Sequence, residues 1–209
     1  KNYAYKRLRR LTKKTINQEE LKIVLEVINE VLIHVNQGVT DMYFVDECGF
    51  SLSPNLSYAW SPIGTQWGIK SVKKKVLNVL GFLNPKNDHL KVYPLPKNTY
   101  MNSEAFIKLV NNFSNTISKE TVLVLDRASW HTSALTQTMF SQWEEKGLHI
   151  LFLPAYAPHY NLIETLWRKI KYEWLNIKDY HSETTLLKKV NTIFKEYGKL
   201  YNIKFAMNF

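Results

Sequence analysis

The sequence predicts an α/β domain, a mixed five-stranded sheet flanked by helices. Two apolar runs carry much of that prediction. "TVLVLD" (121–126) and "LHILFL" (148–153) are unbroken by polar alternation, the pattern of strands covered on both faces. Stretches with helical periodicity alternate with them. Before residue 100, by contrast, β-rich runs follow one another directly, so the first strands form a meander.

The elements follow in order. "KNYAYKRLRRLTKK" (1–14) has seven basic residues and no acidic one, and residues 1–16 are read as a basic arm ahead of a domain at 17–209. From Asn17 to about Val35 apolar residues recur at helical spacing. A short strand, Met42 to Val45, then reaches Asp46, with "SYAWSP" and "KKVLNVLGFL" as further strands between turn-rich segments. "NSEAFIKLVNNFSNTIS" is amphipathic, with Asn102 or Ser103 placed to cap it. "TVLVLD" is followed by a helix over about Ser133 to Lys146, and "LHILFL" by the turn-rich "PAYAPHYN". A helix from Leu162 to about Ile177 and a last one capped by Ser182 complete the chain.

Lys and Arg number 28 against 18 Asp and Glu, a net charge of +10. Such a surplus favours a polyanion such as nucleic acid, with an ordinary basic protein as the even alternative. The charge is localised, in the arm that holds Arg9 and Arg10 and in "IKSVKKK" with Lys73, Lys74 and Lys75. Tyr58, Trp60 and Trp67 stand beside these lysines, a mixture that can stack on bases while binding phosphate. The single cysteine, Cys48, excludes an internal disulfide and a multi-cysteine zinc site, and fits a reducing, cytoplasmic setting. No apolar run is long enough to span a bilayer, and none resembles a secretory leader.

Three acids stand out by position. Asp46 is expected at the C-terminal end of the first strand, Asp126 at that of the fourth, and Glu164 in the first turn of the helix after the fifth. Ligands of open α/β sheets collect at such strand ends. Converging carboxylates repel one another, and a divalent cation held by oxygen ligands relieves the repulsion. Each acid also has an ordinary reading. Asp46 and Glu47 can close a strand before Gly49, Asp126 can cap a turn, and Glu164 can complete a capping box with Asn161. Periodicity does not decide among them.

The surrounding residues resemble a known family. "VDECGF" (45–50), "LDRASWH" (125–131) and "LPAYAPHYNLIETLWRKIK" (153–171) are similar to the three signature blocks of the DDE transposases of the Tc/mariner superfamily, in its bacterial insertion-sequence branch. Asp126 lies 80 positions after Asp46, and Glu164 lies 38 after Asp126. The resemblance implies an RNase H-like catalytic domain with Asp46, Asp126 and Glu164 as the metal-binding and catalytic triad. It implies Mg²⁺, replaceable by Mn²⁺ and bound as two ions, that drives cleavage of transposon ends and strand transfer into target DNA. Double-stranded DNA with TA target sites, a homodimeric synaptic complex and a bacterial, nucleoid-associated location follow from the same likeness. The chain departs from the blocks at Arg127 (usually Asn), at Ala155 and Leu162 (usually Pro) and at Ala157 (usually Ser). The family's helix-turn-helix domains find no counterpart, so an isolated catalytic domain or a truncated relic is expected.

Around the triad, Arg127 is expected either to contact the scissile phosphate or to compete with the cation for Asp126. His131 is expected to orient water or touch phosphate, or to serve as a hydrogen-bonded structural group. Arg168 and Lys171 lie off the apolar stripe of their helix and can meet the DNA backbone. Asn161 is expected to act from behind the ligands by fixing where Glu164 points. Two rival functions remain: an RNase H-like nuclease that cuts without joining, and a decayed or domesticated DNA-binding or oligomerisation module.

Overall fold

The computed structural model describes residues 16–54, 62–65 and 75–207. Arg9, Arg10, Lys73, Lys74 and the strand expected at "SYAWSP" therefore lie wholly or largely outside the described residues, and of Lys75 only its place in a strand is described.

Helix α1 (Gln18–Asn36) starts where Asn17 accepts hydrogen bonds from the Glu19 and Glu20 amides. The strands are β1 (Asp41–Ser51), β2 (Lys75–Asn84), β3 (His89–Pro94), β4 (Thr121–Leu125) and β5 (Leu148–Phe152). Their order is β3-β2-β1-β4-β5. β1, β2 and β3 pair antiparallel, whereas β4 and β5 extend the sheet in parallel. The mixed five-stranded sheet with a leading meander is thus as expected. Its third strand is "HLKVYP", a half-exposed edge strand with no counterpart among the strands expected from sequence.

Helices cover both faces. α1, α5 (Leu162–Lys169) and α6 (Glu183–Lys195) pack on the face that carries Met42, Phe44 and Cys48. α2 (Ser103–Ser114) and the short α3 (Ala134–Gln137) and α4 (Phe140–Glu144) lie towards the face of Tyr43, Val45 and Phe82. Asn102 caps α2 and Ser182 caps α6 through their side-chain oxygens. Trp143 is wholly enclosed on the second face, with its indole N–H donated to Asn111 Oδ1 at 2.7 Å.

Three expected boundaries differ. The helix expected over 133–146 breaks in two between Gln137 and Phe140, where the Met139 amide bonds Thr136 O and the Thr138 hydroxyl bonds Leu135 O. The helix expected to reach Ile177 leaves α geometry after Lys169 and becomes a π turn over Ile170–Trp174, its end closed by the Leu175 amide on Ile170 O. Strand β1 runs on to Ser51, so Asp46 stands in its middle rather than at its end. What ends at Phe44 is the pairing of β1 with β4.

Candidate active site

That ending places two of the acids. The parallel register pairs Phe44 with Val124, and both side chains point to the α5 face. Two residues further on stand Asp46 and Asp126. Since side chains alternate with period two, the Asp46 carboxylate continues on that same face, while Asp126 is the first residue past the end of β4. β1 carries on with β2 alone, leaving the gap beyond Leu125 open above the acids.

Helix α5 brings the third. Its Ile163, Leu166 and Trp167 are buried against the sheet, and Glu164 is the third residue of its first turn. Gly81, the β2 partner of Asp46, makes this approach possible. A Cβ there would lie 2.5 Å from Trp167 Cζ2 and 2.9 Å from Ile163 Cδ1. Asn161 ties the helix start to β1, donating from Nδ2 to Val45 O at 3.0 Å. It forms no side-chain cap, so the capping box expected with Glu164 is not made. The buried Asn161 amide is drawn across to the strand instead, one residue before Asp46.

Asp46 and Glu164 line a cleft of about 550 Å³ together with Glu47, His159, Arg168 and Lys171. Asp126 borders a second hollow of about 350 Å³ with Arg127 and Tyr156, and the two meet at Pro158. Burial, then the charges of Glu47, Asp126 and Glu164, push the Asp46 carboxyl up to about 8. Burial and the charge of Asp126 also raise Glu164, against a lowering by Arg168. Asp126 goes the other way. Burial would raise it, but the hydrogen bond and charge of His131 outweigh burial and hold it below the usual carboxylate value.

Asp126 Oδ1 takes both of its bonds, from the Ala128 amide at 3.1 Å and from His131 Nδ1 at 2.8 Å. Among the described residues, Oδ2 has no donor. His131 is wholly buried, so it has no exposed atom with which to touch phosphate; the contact expected with DNA is corrected to a contact with Asp126. Burial would lower the imidazole, but Asp126 and Glu47 outweigh it and raise it to about 9. Arg127 does not compete for Asp126. Its guanidinium pairs with Glu20 of α1 and donates through Nε to Leu153 O at 3.3 Å. Arg168 and Lys171 do line the cleft, with Lys171 Nζ 5.6 Å from the Phe50 ring centre. Glu47, Trp130, Glu20 and Gly81 were not singled out from sequence. Strand alternation could have separated Glu47 from Asp46, but nothing local announced the others.

The donor set fits a hard divalent cation: oxygen ligands only, two of them held above their ordinary pKa by burial and then by neighbouring acids. Among the described residues no three such side chains close into a finished cage. Mg²⁺ does not demand one, since it keeps several waters and takes one or two carboxylates with substrate phosphate.

A mixed sheet in this order, with acids gathered where the parallel pairing of its central strands ends, defines an RNase H-like domain. The chain belongs to the DDE superfamily endonuclease family, whose model matches residues 41–187. No curated protein matches it in sequence. Among solved structures it resembles the Mos1 strand transfer complex at a TM-score of 0.56 and 12% identity, over 93% of this chain and 60% of that one. It resembles the Mos1 paired-end complex with the left transposon end at 0.54 and 10%, over 93% of this chain and 65% of that one. The Mos1 catalytic domain with raltegravir and Mg matches at 0.51 and 11%, over 87% and 85%. The chain therefore spans about two thirds or less of the transposase chains in those complexes.

Proposed function

We propose that this chain is the catalytic domain of a Tc/mariner-type transposase that cleaves transposon ends and transfers the freed strands to target DNA. The observation that carries the reading is geometric: Asp46 and Glu164 share one cleft, and Asp126 borders the adjoining hollow where the β1–β4 pairing ends. A site that crowds anions in this way is completed by cations. Asp46 and Asp126 would hold one Mg²⁺ between them, and Glu164 would help to hold a second. The ions, when bound, activate a water or 3′-hydroxyl and stabilise the leaving oxygen. Asn161 and Gly81 keep Glu164 against β1, while Arg168 and Lys171 face the cleft as backbone contacts for the DNA. Support for DNA as substrate comes from the basic surplus and from the transposon-end complexes named for Mos1. TA target sites and a dimeric synaptic complex belong to the same proposal.

The test is anomalous diffraction from crystals soaked in Mn²⁺, comparing wild type with Asp126→Ala. Density between Asp46 and Asp126 that vanishes in the variant supports the reading. Carboxylates that stay empty at high Mn²⁺ would sink it in favour of a DNA-binding module. Strand-transfer products from a pre-cut oligonucleotide end separate transposase from simple nuclease.

A further inference from the structure

Asp46 and Glu47 are adjacent on β1 and both border the cleft, but the Glu47 carboxylate is engaged by the loop after β4. That loop offers Glu47 two partners. Trp130 Nε1 donates to Glu47 Oε1 at 2.6 Å. His131 Nε2 lies 3.3 Å from the same oxygen, within ion-pairing range though off the line of a good hydrogen bond. The other nitrogen of that imidazole holds Asp126 Oδ1 at 2.8 Å. His131 is sealed in, its ring centre 4.5 Å from that of Phe106, so it has little freedom to turn.

We infer that Glu47 is a positioning residue: acting through His131 and Trp130, it fixes the orientation of the Asp126 carboxylate, whose Oδ2 would be left to a metal, and is not itself a ligand. The inference rests on the reading of Asp126 as a metal ligand. Its physical basis is the common arrangement in which a group behind the ligand fixes that ligand's orientation. Here the order is carboxylate, imidazole, carboxylate. The outer carboxylate sits on β1, so the same strand that supplies Asp46 also steadies its companion on β4. Removing the outer carboxylate would leave His131 held only by Asp126 and by packing, and Asp126 free to swing with it.

The experiment is calorimetric titration of the full chain with Mn²⁺, alongside thermal melts. The variants are Glu47→Gln, His131→Asn, the double variant and Asp126→Ala. Wild type should bind Mn²⁺ and Asp126→Ala should lose it. Glu47→Gln, which keeps an acceptor for Trp130, should weaken binding about tenfold with little change in melting. His131→Asn should weaken it as much or more. The double variant should bind no worse than His131→Asn alone, because Glu47 acts only through the imidazole.

Wild-type affinity in Glu47→Gln overturns the inference while leaving Asp126 as a ligand. Losses that multiply in the double variant also overturn it, since they would make Glu47 an independent ligand. Binding that survives Asp126→Ala unchanged removes the underlying reading and this inference together. Should Glu47→Gln fail to fold, Trp130→Phe removes only the indole donor that fixes Glu47. A smaller loss of Mn²⁺ affinity then supports the clamp, and unchanged affinity counts against it.

Discussion

Asp46→Asn should stabilise the metal-free protein, and its effect should depend on pH in a defined direction. In the folded chain the Asp46 carboxyl titrates at about 8, against an ordinary 3.8. Between those values the folded state holds a proton that the unfolded state has released, so the contribution of this group to stability falls as pH rises through that window. At pH 7 the gap is about three pH units, which at about 1.4 kcal/mol each comes to about 4 kcal/mol. The side chain is partly open to the cleft, and screening there brings the figure to about 2–4 kcal/mol. Asparagine neither titrates nor adds to the repulsion. The variant should match wild type near pH 4 and exceed it by the largest margin above pH 8. His131 titrates in both proteins, so comparing them largely cancels its share. Urea unfolding in chelator at pH 5 and 8.5 measures the difference. Added Mg²⁺ should reverse the ranking at pH 8.5, since ligand binding to the folded state stabilises only the protein that can hold it. A variant no more stable than wild type at pH 8.5 in chelator would refute the reasoning, because the crowding of anions around Asp46 would then carry no cost.

Other consequences follow from single contacts. Gly81→Ala should cost about 1–3 kcal/mol and lower DNA cleavage sharply, since the new methyl displaces Trp167 and Ile163 and with them the helix of Glu164; thermal melting and a nicking assay check both. Asn161→Ala should reduce Mn²⁺ affinity about tenfold by freeing the start of α5 from Val45, and unchanged affinity would leave Asn161 only a packing role. Arg127→Asn breaks a half-exposed ion pair with Glu20, so stability should change by less than about 1 kcal/mol and cleavage should persist; a large loss of cleavage would place the guanidinium on the substrate. Arg168→Ala and Lys171→Ala should each weaken DNA binding across all sequences and lower the salt dependence by about one ion, read from binding isotherms at several salt concentrations.

The sequence by itself determined the class of the fold and picked out three acids as candidates. The apolar run at 122–125 is a strand buried throughout, 148–152 is an edge strand that carries the exposed His149, and the amphipathic helices are capped by Asn17, Asn102 and Ser182 as their types require. These are local properties, carried by periodicity and by side chains that bond their own backbone. The tertiary structure decided what each acid meets. It turned Asn161 from a cap into a tie to β1, sent Arg127 to Glu20 rather than to Asp126, and brought Glu47 to the Trp130 indole. It also made Gly81 the floor beneath Trp167. Each of these pairings joins residues tens of positions apart, across a strand register or a helix docking angle. Local pattern holds no record of that geometry, because it arises only when the sheet is assembled and its two faces are filled.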